Sequence, residues 1–338
     1  MNTGEVWTLS EFRLGELREV SYELLAWGRG LADELNSDLC AVILTDQVSE
    51  AQLKQVFAYG ADKIYLVKDA GLKDFLVEPH AKVLAHLVEI YQPWIFLAAA
   101  TTTGRTVMPY LSMMLHTGLT ADCTKLEIEA ETGNLLQIRP AIGGNIMATI
   151  KTPESRPQMA TVRPKSINLL EADDTRVGEV IEISPPQEAL TSRMVLEELI
   201  IEGQSKAALE EAEIVVSGGK GVQASDNFTL MYALAEALGG VVASARPPVD
   251  LGWHPYSGQV GLTGKTISPS LYVACGISGA VQHLAGIQTA KNIIAINIDA
   301  DAPIFQVSDF GIVGDIFEVL PVLIKRLEDN HINTHKKE

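Results

Sequence analysis

The 338 residues are 47% hydrophobic and 20% charged, the balance of a folded chain rather than a disordered one, and they suffice for two domains that each bury a core. Lys and Arg number 26 against 43 Asp and Glu, and the formal net charge of -17 argues against a polyanionic partner such as DNA or RNA. Cys40, Cys123 and Cys275 are odd in number, far apart and form no C-x-x-C, so neither a disulfide framework nor a zinc site is indicated and a reducing cytoplasm is expected.

The opening "MNTGEVWTLSEFRLGEL" has no basic stretch followed by an apolar core, so no secretory or organelle leader is expected, and no apolar run has the length of a membrane span. "LCAVIL" (39–44) predicts a strand, and "EAQLKQVFAYG" (50–60) a helix with Leu53, Val56 and Phe57 on one face, closed by Gly60. "KIYLV" (63–67) predicts a strand, "AKVLAHLVEIY" (81–91) a helix and "WIFLAAA" (94–100) a strand, which together imply a doubly wound layer around a mostly parallel sheet. "TTTGRTVMPYLSMMLHTGLTADCT" (101–124) holds a Gly-Arg turn and a Met-rich helix in which Met108, Met113 and Met114 read as core or interface fillers. From about residue 120 the pattern changes: a hairpin around Glu131-Thr132-Gly133-Asn134, a Gly-punctuated strand, and "PQMATVRP" predict antiparallel strands added to the edge of the first sheet.

Residues 168–213 are acidic, carry Pro185-Pro186 and predict a surface helix; the domain joint is placed near residue 190, with 191–212 as linker. The second domain, 213–330, restarts the α/β alternation. "EIVVSGG" (213–219) predicts a strand, "NFTLMYALAEALGG" (227–240) a helix capped by Gly239, and "VVASARPPVD" (241–250) a strand. "SLYVACG" (270–276), a helix and "NIIAINID" (292–299) then form a strand, crossover and strand, "FEVLPVLIKRLE" (317–328) closes the domain, and 331–338 is a polar tail.

Strands that end in glycine turns and open helices are where anions sit, because free N–H groups converge there. This domain has two, "VVSGGKGV" (215–222) and "VACGISGAV" (273–281). Neither is a Walker A motif, and "GKT" (264–266) fails the same spacing, so a nucleoside triphosphatase is disfavoured; "CGISGA" is not G-x-G-x-x-G either. One such turn alone is a strand-to-helix connection with Ser278 as cap. Two, with Lys220 in one of them, point to a dinucleotide whose pyrophosphate spans both. The long segment 246–269, rich in Gly, Pro, Ser and Thr, supplies Arg246, Gln259, Thr263 and Lys265. Asn297 and Asp299 stand where an amide or acid would meet a ribose, and His283 lies one turn above the glycine turn, readable either as a half-buried histidine bonded to a carbonyl or as a ligand contact. No His, Cys or carboxylate cluster has metal spacing, and no Ser, His and Asp set stands out.

"VVSGGKGV", "SARPPVD", "QVGLTGKTISPSLYVACGISGAVQHLAGI" and "IIAINIDADAPIFQVSDFGIVGDIFEVLPVL" resemble the C-terminal flavin-binding domain of the electron-transfer flavoprotein alpha subunit, and "GADKIYLV", "HTGLTADCT", "RPAIGGNIMATI" and "PQMATVRP" extend the resemblance over nearly the whole chain. It implies a Rossmann-like C-terminal domain holding one FAD, and an N-terminal domain that contacts a smaller beta subunit carrying a second FAD or AMP. Ser278, Gly279, Ala280, Val281, Gln282 and His283 would hold the pyrophosphate and reach the flavin, with His283 at the pyrimidine edge where a donor or imidazolium favours reduced flavin. Arg246 would lie against the isoalloxazine and Thr263 near its N5; Val260, Gly261 and Leu262 would offer backbone contacts; Asn297, Asp315 and the adjacent Ile316 would hold the adenosine half. This sequence has Lys220, Ala245 and Leu262 where many relatives have Arg, Ser and Gln.

The resemblance further implies an electron carrier serving a flavin-dependent dehydrogenase, of the acyl-CoA type. The N-terminal stretch is most similar to members from anaerobic bacteria, several of which bifurcate electrons with NADH and use ferredoxin or flavodoxin as a further partner. Two other readings stay open at this stage: an NAD-dependent dehydrogenase with His283 as its acid or base, and a nucleotide-sensing α/β module. Bound-cofactor identity separates the three.

Overall fold

The first strand of the chain, β1 (Val6–Leu9), is wholly buried and stands at the centre of a seven-stranded sheet, although its four residues carry no flanking turn signal. The computed structural model describes residues 4–141, 146–199 and 209–334 and divides into two compact units, Met1–Ile201 and Glu202–Glu338. In unit 1, β1 leads through the short hairpin β2 (Phe12–Arg13) and β3 (Glu16–Leu17) into α1 (Glu19–Leu35). Then follow β4 (Leu39–Thr45), α2 (Glu50–Ala58), β5 (Lys63–Lys68), α3 (Val77–Tyr91), β6 (Ile95–Ala99), α4 (Thr102–Met114) and β7 (Leu119–Cys123). The predicted elements between residues 39 and 100 are present. α2 starts at a capping box in which Ser49 and Gln52 satisfy each other's backbone N–H groups, which fixes its first turn.

After β7 come β8 (Lys125–Ile128), β9 (Leu135–Pro140), β10 (Met147–Ile150), β11 (Gln158–Val162) and β12 (Glu179–Glu182). The large sheet runs β12-β5-β4-β1-β6-β11-β7, parallel throughout, and β10-β9-β8 form a separate antiparallel sheet. The hairpin was legible, but two expectations need correcting. The antiparallel strands do not extend the first sheet, and "PQMATV" is not one of them: β11 inserts in parallel between β6 and β7. All five of its residues are buried, as a strand covered on both faces requires, whereas a half-exposed edge strand would alternate. The small sheet is fastened to the large one by Trp94, whose indole N–H donates to Gly133 O at 3.0 Å, and by Arg156, which lies 3.8 Å over the Trp94 ring and donates to Asn134 Oδ1 at 2.9 Å.

Two ion pairs, each with one buried partner, brace unit 1. Asp122, at positive φ in β7, accepts Arg163 Nε at 3.1 Å and Nη2 at 2.5 Å; burial pushes its carboxyl up, but the Arg163 bonds and charge outweigh that and hold it below the usual range. Glu78, buried in the first turn of α3, accepts from Arg193 N at 2.7 Å, Arg193 Nε at 2.7 Å and Ser192 Oγ at 3.2 Å, and these donors hold its carboxyl at about 2. Residues 192 and 193 are thereby tied to unit 1. The surface helix expected after residue 190 is not found through residue 199, and 200–208 lie outside the described residues.

Unit 2 consists of β13 (Ile214–Gly218), α5 (Phe228–Leu238), β14 (Val241–Ser244), α6 (Arg246–Asp250), β15 (Leu271–Cys275), α7 (Val281–Leu284), β16 (Ile293–Asn297), β17 (Phe310–Val313) and α8 (Ile316–Thr334). Its sheet is parallel, in the order β14-β13-β15-β16-β17. The strand expected over 241–250 stops at Ser244, because the two prolines of "RPPVD" sit in the first turn of a helix, where their missing N–H costs nothing. The closing helix runs from Ile316 to Thr334, longer than the expected 317–328 and into the expected tail. Each face of the sheet has its own apolar layer: Val215, Tyr272, Ala274, Ile287 and Ile304 on one, Val216, Phe228, Met231, Ile296 and Leu320 on the other. Cys40, Cys123 and Cys275 are free and buried, and burial pushes the Cys123 and Cys275 thiols up to about 12.

Candidate functional site

In an open parallel sheet the ligand crevice opens outside the carboxyl ends of the strands, where the order reverses. In unit 2 the chain passes from β13 out to β14 and then back across β13 to β15, so the reversal lies between β13 and β15. The loops leaving those two strands are the two glycine turns singled out in the sequence.

Glycine lets these loops touch through their backbones. Gly219 N donates to Cys275 O at 2.8 Å and Gly221 N to Gly276 O at 3.0 Å. A Cβ on Gly219 would stand 2.2 Å from Gly276 O, and one on Gly279, at φ +86°, would stand 2.3 Å from Ile304 N. Beyond this contact the N–H groups of Ser278, Gly279, Ala280, Val281 and Gln282 find no acceptor among the described residues, and the next one used is His283 N, bonded to Ala280 O at 2.8 Å. Successive free N–H groups on a turn form a concavity that takes an anion. Lys220, exposed on the facing loop, has no ion-pair partner among the described residues.

The 259–265 loop lies against α7. Leu262 N donates to Gln282 O at 2.7 Å, Val260 N to Ser244 O at 2.9 Å, and Gly261, at φ +138°, passes so close to Gln282 that a Cβ would meet its carbonyl at 2.9 Å. Gln259 is buried and its Nε2 donates to Thr263 Oγ1 at 3.0 Å, which leaves the exposed Thr263 hydroxyl free to donate its own proton outward. Lys265 is drawn away from this cluster by Glu210 Oε2 at 3.1 Å. Leu262 and Val281 are 70% and 69% exposed, an apolar pair at the rim. Ala245 N donates to Gly218 O at 2.9 Å, placing Ala245 beside the end of β13, and the exposed Arg246 that follows pairs with Asp250 Oδ2 at 3.1 Å.

His283 is 7% exposed, and both ring nitrogens have protein partners: Nδ1 is 3.1 Å from Val260 O and Nε2 is 2.9 Å from Tyr272 Oη. A carbonyl can only accept, so Nδ1 carries the proton, and Nε2 accepts from the tyrosine hydroxyl. Burial pulls the imidazole down to about 4 against the weaker pull of the Val260 carbonyl, so at neutral pH the ring is uncharged. Of the two readings of His283, the carbonyl-bonded one describes the observed geometry. Tyr272 was missed in the sequence: it is separated from His283 by eleven residues, and only the strand-to-helix fold brings them together.

The remaining predicted residues line the same carboxyl edge. Asn297 Nδ2 donates to Ile277 O at 2.9 Å and its Oδ1 accepts Asp299 N at 3.0 Å, while Asp299 Oδ1 accepts Asp301 N at 3.0 Å. Gly314 N donates to Asn297 O, Asp315 Oδ1 accepts Phe317 N at 2.9 Å at the head of α8, and Ile316 is buried in the core beneath. The fold therefore brings all the predicted residues to one edge, though Asn297, Asp299 and Asp315 already serve as loop ties. Among the described residues no group of three His, Cys, Asp or Glu could hold a metal, and no helix is long and apolar enough to cross a membrane.

A glycine-built crevice at the reversal of a parallel sheet, lined by free N–H groups with cationic side chains at its rim, defines a nucleotide-cofactor-binding α/β protein. Comparison with known families narrows this class. Residues 6–188 match the electron transfer flavoprotein domain, and residues 208–288 the electron transfer flavoprotein FAD-binding domain. The chain is 45% identical over 324 residues to an electron transfer flavoprotein subunit alpha from Thermoanaerobacterium thermosaccharolyticum, covering 96% of this chain and 98% of that one. It is 44% identical to a Protein FixB from Clostridium saccharobutylicum, covering 96% of each chain. It is also 39% identical to the lactate dehydrogenase (NAD(+),ferredoxin) subunit LctC of Acetobacterium woodii, covering 93% of this chain and 74% of that one. The chain belongs to the electron transfer flavoprotein family, as an alpha subunit. Alpha subunits of this family pair with a beta subunit, and the second matched domain is a flavin-binding one.

Proposed function

We propose that the crevice of unit 2 holds one FAD, and that the chain carries electrons between a flavin-dependent dehydrogenase and a further acceptor. The run of free N–H groups from Ser278 to Gln282, facing Lys220 across the glycine contact, is the observation that carries this reading. It fits a pyrophosphate, which needs several donors and a close backbone approach. Arg246 and the Thr263 hydroxyl, oriented by Gln259, would flank the flavin ring, with Val260, Gly261 and Leu262 along it; Asn297, Asp299, Asp315 and Ile316 would meet the adenosine half. His283 would act as a fixed neutral dipole that holds the 259–265 loop to α7, without a charge of its own. When bound, the flavin supplies the ability to take up and release electrons, and the chain's residues position it and set its surroundings.

The partner subunit would be a beta-type chain carrying a second FAD or AMP, the dehydrogenase one of the acyl-CoA type or a related 2-hydroxy-acid type, and the compartment the cytoplasm. The likeness to a subunit named for NAD(+) and ferredoxin supports an NADH-dependent bifurcating complex, with ferredoxin or flavodoxin as the low-potential acceptor. The test is the visible spectrum of the chain co-purified with its beta-type subunit, followed by chromatography of what heat releases. One FAD per heterodimer is expected of a simple carrier, and two FAD, at least one bleached by NADH, of a bifurcating complex. A colourless preparation releasing only NAD, or nothing, would sink the flavoprotein reading.

A further inference from the structure

Tyr272 stands in β15, the middle strand of the unit 2 sheet, and is wholly buried. Register fixes it there: its Cα pairs with Val215 on one side and Ile293 on the other, and its N–H donates to Asn292 O at 2.9 Å. Burial pushes its phenol well above the ordinary range, against the weaker pull of the Ser217 hydroxyl, so the group keeps its proton at physiological pH. It is a donor on a rigid strand, and it lies 2.9 Å from His283 Nε2. The other ring nitrogen serves Val260. This residue is 1% exposed, and its carbonyl accepts no backbone N–H among the described residues, so the bond from His283 Nδ1 at 3.1 Å is what satisfies it.

These bonds run from the core to the rim. β15 holds Tyr272, Tyr272 holds the imidazole of α7, and the imidazole holds Val260, next to the Gln259 that orients the Thr263 hydroxyl. An imidazole offers one donor and one acceptor only while it is neutral. With Nε2 occupied by a phenol that donates, the ring proton stays on Nδ1, where the carbonyl needs it. We propose that Tyr272 is a positioning residue of the flavin site: it occupies His283 Nε2, keeps the ring proton on Nδ1, and thereby locks the 259–265 loop to α7 without placing a charge beside the ligand. The inference rests on the flavin reading of unit 2. No charged group among the described residues acts on the imidazole, whose shift comes from burial and the Val260 carbonyl; Cys275, also in β15, is held protonated, and Lys265, on the loop, is turned to Glu210. Losing the phenol donor would leave a buried lone pair, which a proton can satisfy, and a reduced, anionic flavin would favour that proton.

The full chain, purified with its beta-type subunit, is compared as wild type, Tyr272→Phe, and Tyr272→Phe combined with His283→Gln. Nitrogen NMR spectra of histidine-labelled protein report which ring nitrogen carries the proton, with His283 assigned from its loss in His283→Gln. Anaerobic titrations from about pH 5.5 to about pH 8 give the affinities for oxidised and reduced FAD, and their ratio is the quantity followed. In wild type the proton is expected on Nδ1 alone over this range, and the ratio to carry no histidine-linked step. Tyr272→Phe is expected to favour reduced FAD roughly tenfold more at about pH 5.5 than at about pH 7, and the added His283→Gln to remove that gain. A Tyr272 that served stability alone would lower the melting temperature and weaken both affinities alike at every pH. A wild-type spectrum with the proton on Nε2 or on both nitrogens at neutral pH, or a ratio that follows wild type in folded Tyr272→Phe, would overturn the proposal. The wild-type spectrum needs no substitution, so it decides even where the variant does not fold. A preparation that binds no FAD overturns the flavin reading and this inference with it, whereas FAD bound with either contrary result overturns this inference alone.

Discussion

The two parallel sheets of this chain reverse their strand order in the same way, yet finish their crevices differently. In unit 1 a side-chain carboxylate, that of Glu11, spans from one loop to the other and binds Thr101, the cap of α4; in unit 2 the facing loops meet through glycine backbones and leave five successive N–H groups without an acceptor among the described residues. Topology thus supplies the place for a ligand, and local residue choice decides whether it stays open. A buried acid closes it because an anion belonging to the chain already satisfies the donors, whereas glycine opens it because nothing projects from the chain.

That contrast can be pressed in four ways. The largest effect is expected from Arg163→Met, which leaves Asp122 without its bidentate partner in unit 1; it should cost about 4 kcal/mol in urea unfolding and leave the flavin content per folded chain unchanged. Next comes Gly279→Val, where a side chain at φ +86° collides with the Ile304 backbone. Losing two charge-assisted bonds to a pyrophosphate is worth about 3 kcal/mol, roughly a 100-fold weaker flavin complex, read by fluorescence titration, while amide exchange in β1 and β4 stays as in wild type.

Acid should separate the units third. The His283 imidazole, at about 4 when folded and near 6.5 when unfolded, binds fewer protons in the native state, so its contribution is complete above about pH 6.5 and lost as the pH falls toward 4. At pH 5 unit 2 should be about 2 kcal/mol less stable than at pH 7 on this account, with the buried His254 pulling the same way, and His283→Gln should flatten that slope in a pH series of unfolding curves. The Glu78 carboxyl, at about 2, is lost only below the usual carboxylate range, so its tie to Arg193 should outlast this transition. The smallest effect is expected from Lys220→Gln: an exposed cation beside the proposed pyrophosphate is worth about 1 kcal/mol, a roughly fivefold weaker flavin complex at low salt that converges on wild type as salt rises.

What could be read from the sequence followed from how each residue earns its place. The alternation from Leu39 to Ala100 was visible because each strand is apolar throughout and each helix periodic, and the carboxyl-edge loops of unit 2 were visible because glycine has few other reasons to cluster there. β1 and β17 escaped: each is only four residues long, and β17 has all four exposed with Gly311 in its middle, so neither carries the usual pattern. β11 was seen but misassigned, since "PQMATV" follows a hairpin in sequence and joins a parallel sheet in space. The partners of His283 were invisible for a related reason. Tyr272 and Val260 reach it from a strand and a loop, and whether an imidazole is charged depends on such neighbours rather than on its own position. The role of Glu11 was hidden likewise, because its partners Thr101 and Arg18 come from opposite sides of the reversal.

The three thiols buried in the two cores have a practical corollary. Cys40, Cys123 and Cys275 are enclosed and held protonated, so maleimides and mild oxidants should pass them by while the chain is folded. The native protein is thus already a blank background for labelling. A cysteine placed at exposed Val177 in unit 1 and another at exposed Val322 in unit 2 would be the two reactive sites among the described residues, and a dye pair on them would report the separation of the units, through each change of redox state, without first stripping the natural cysteines away.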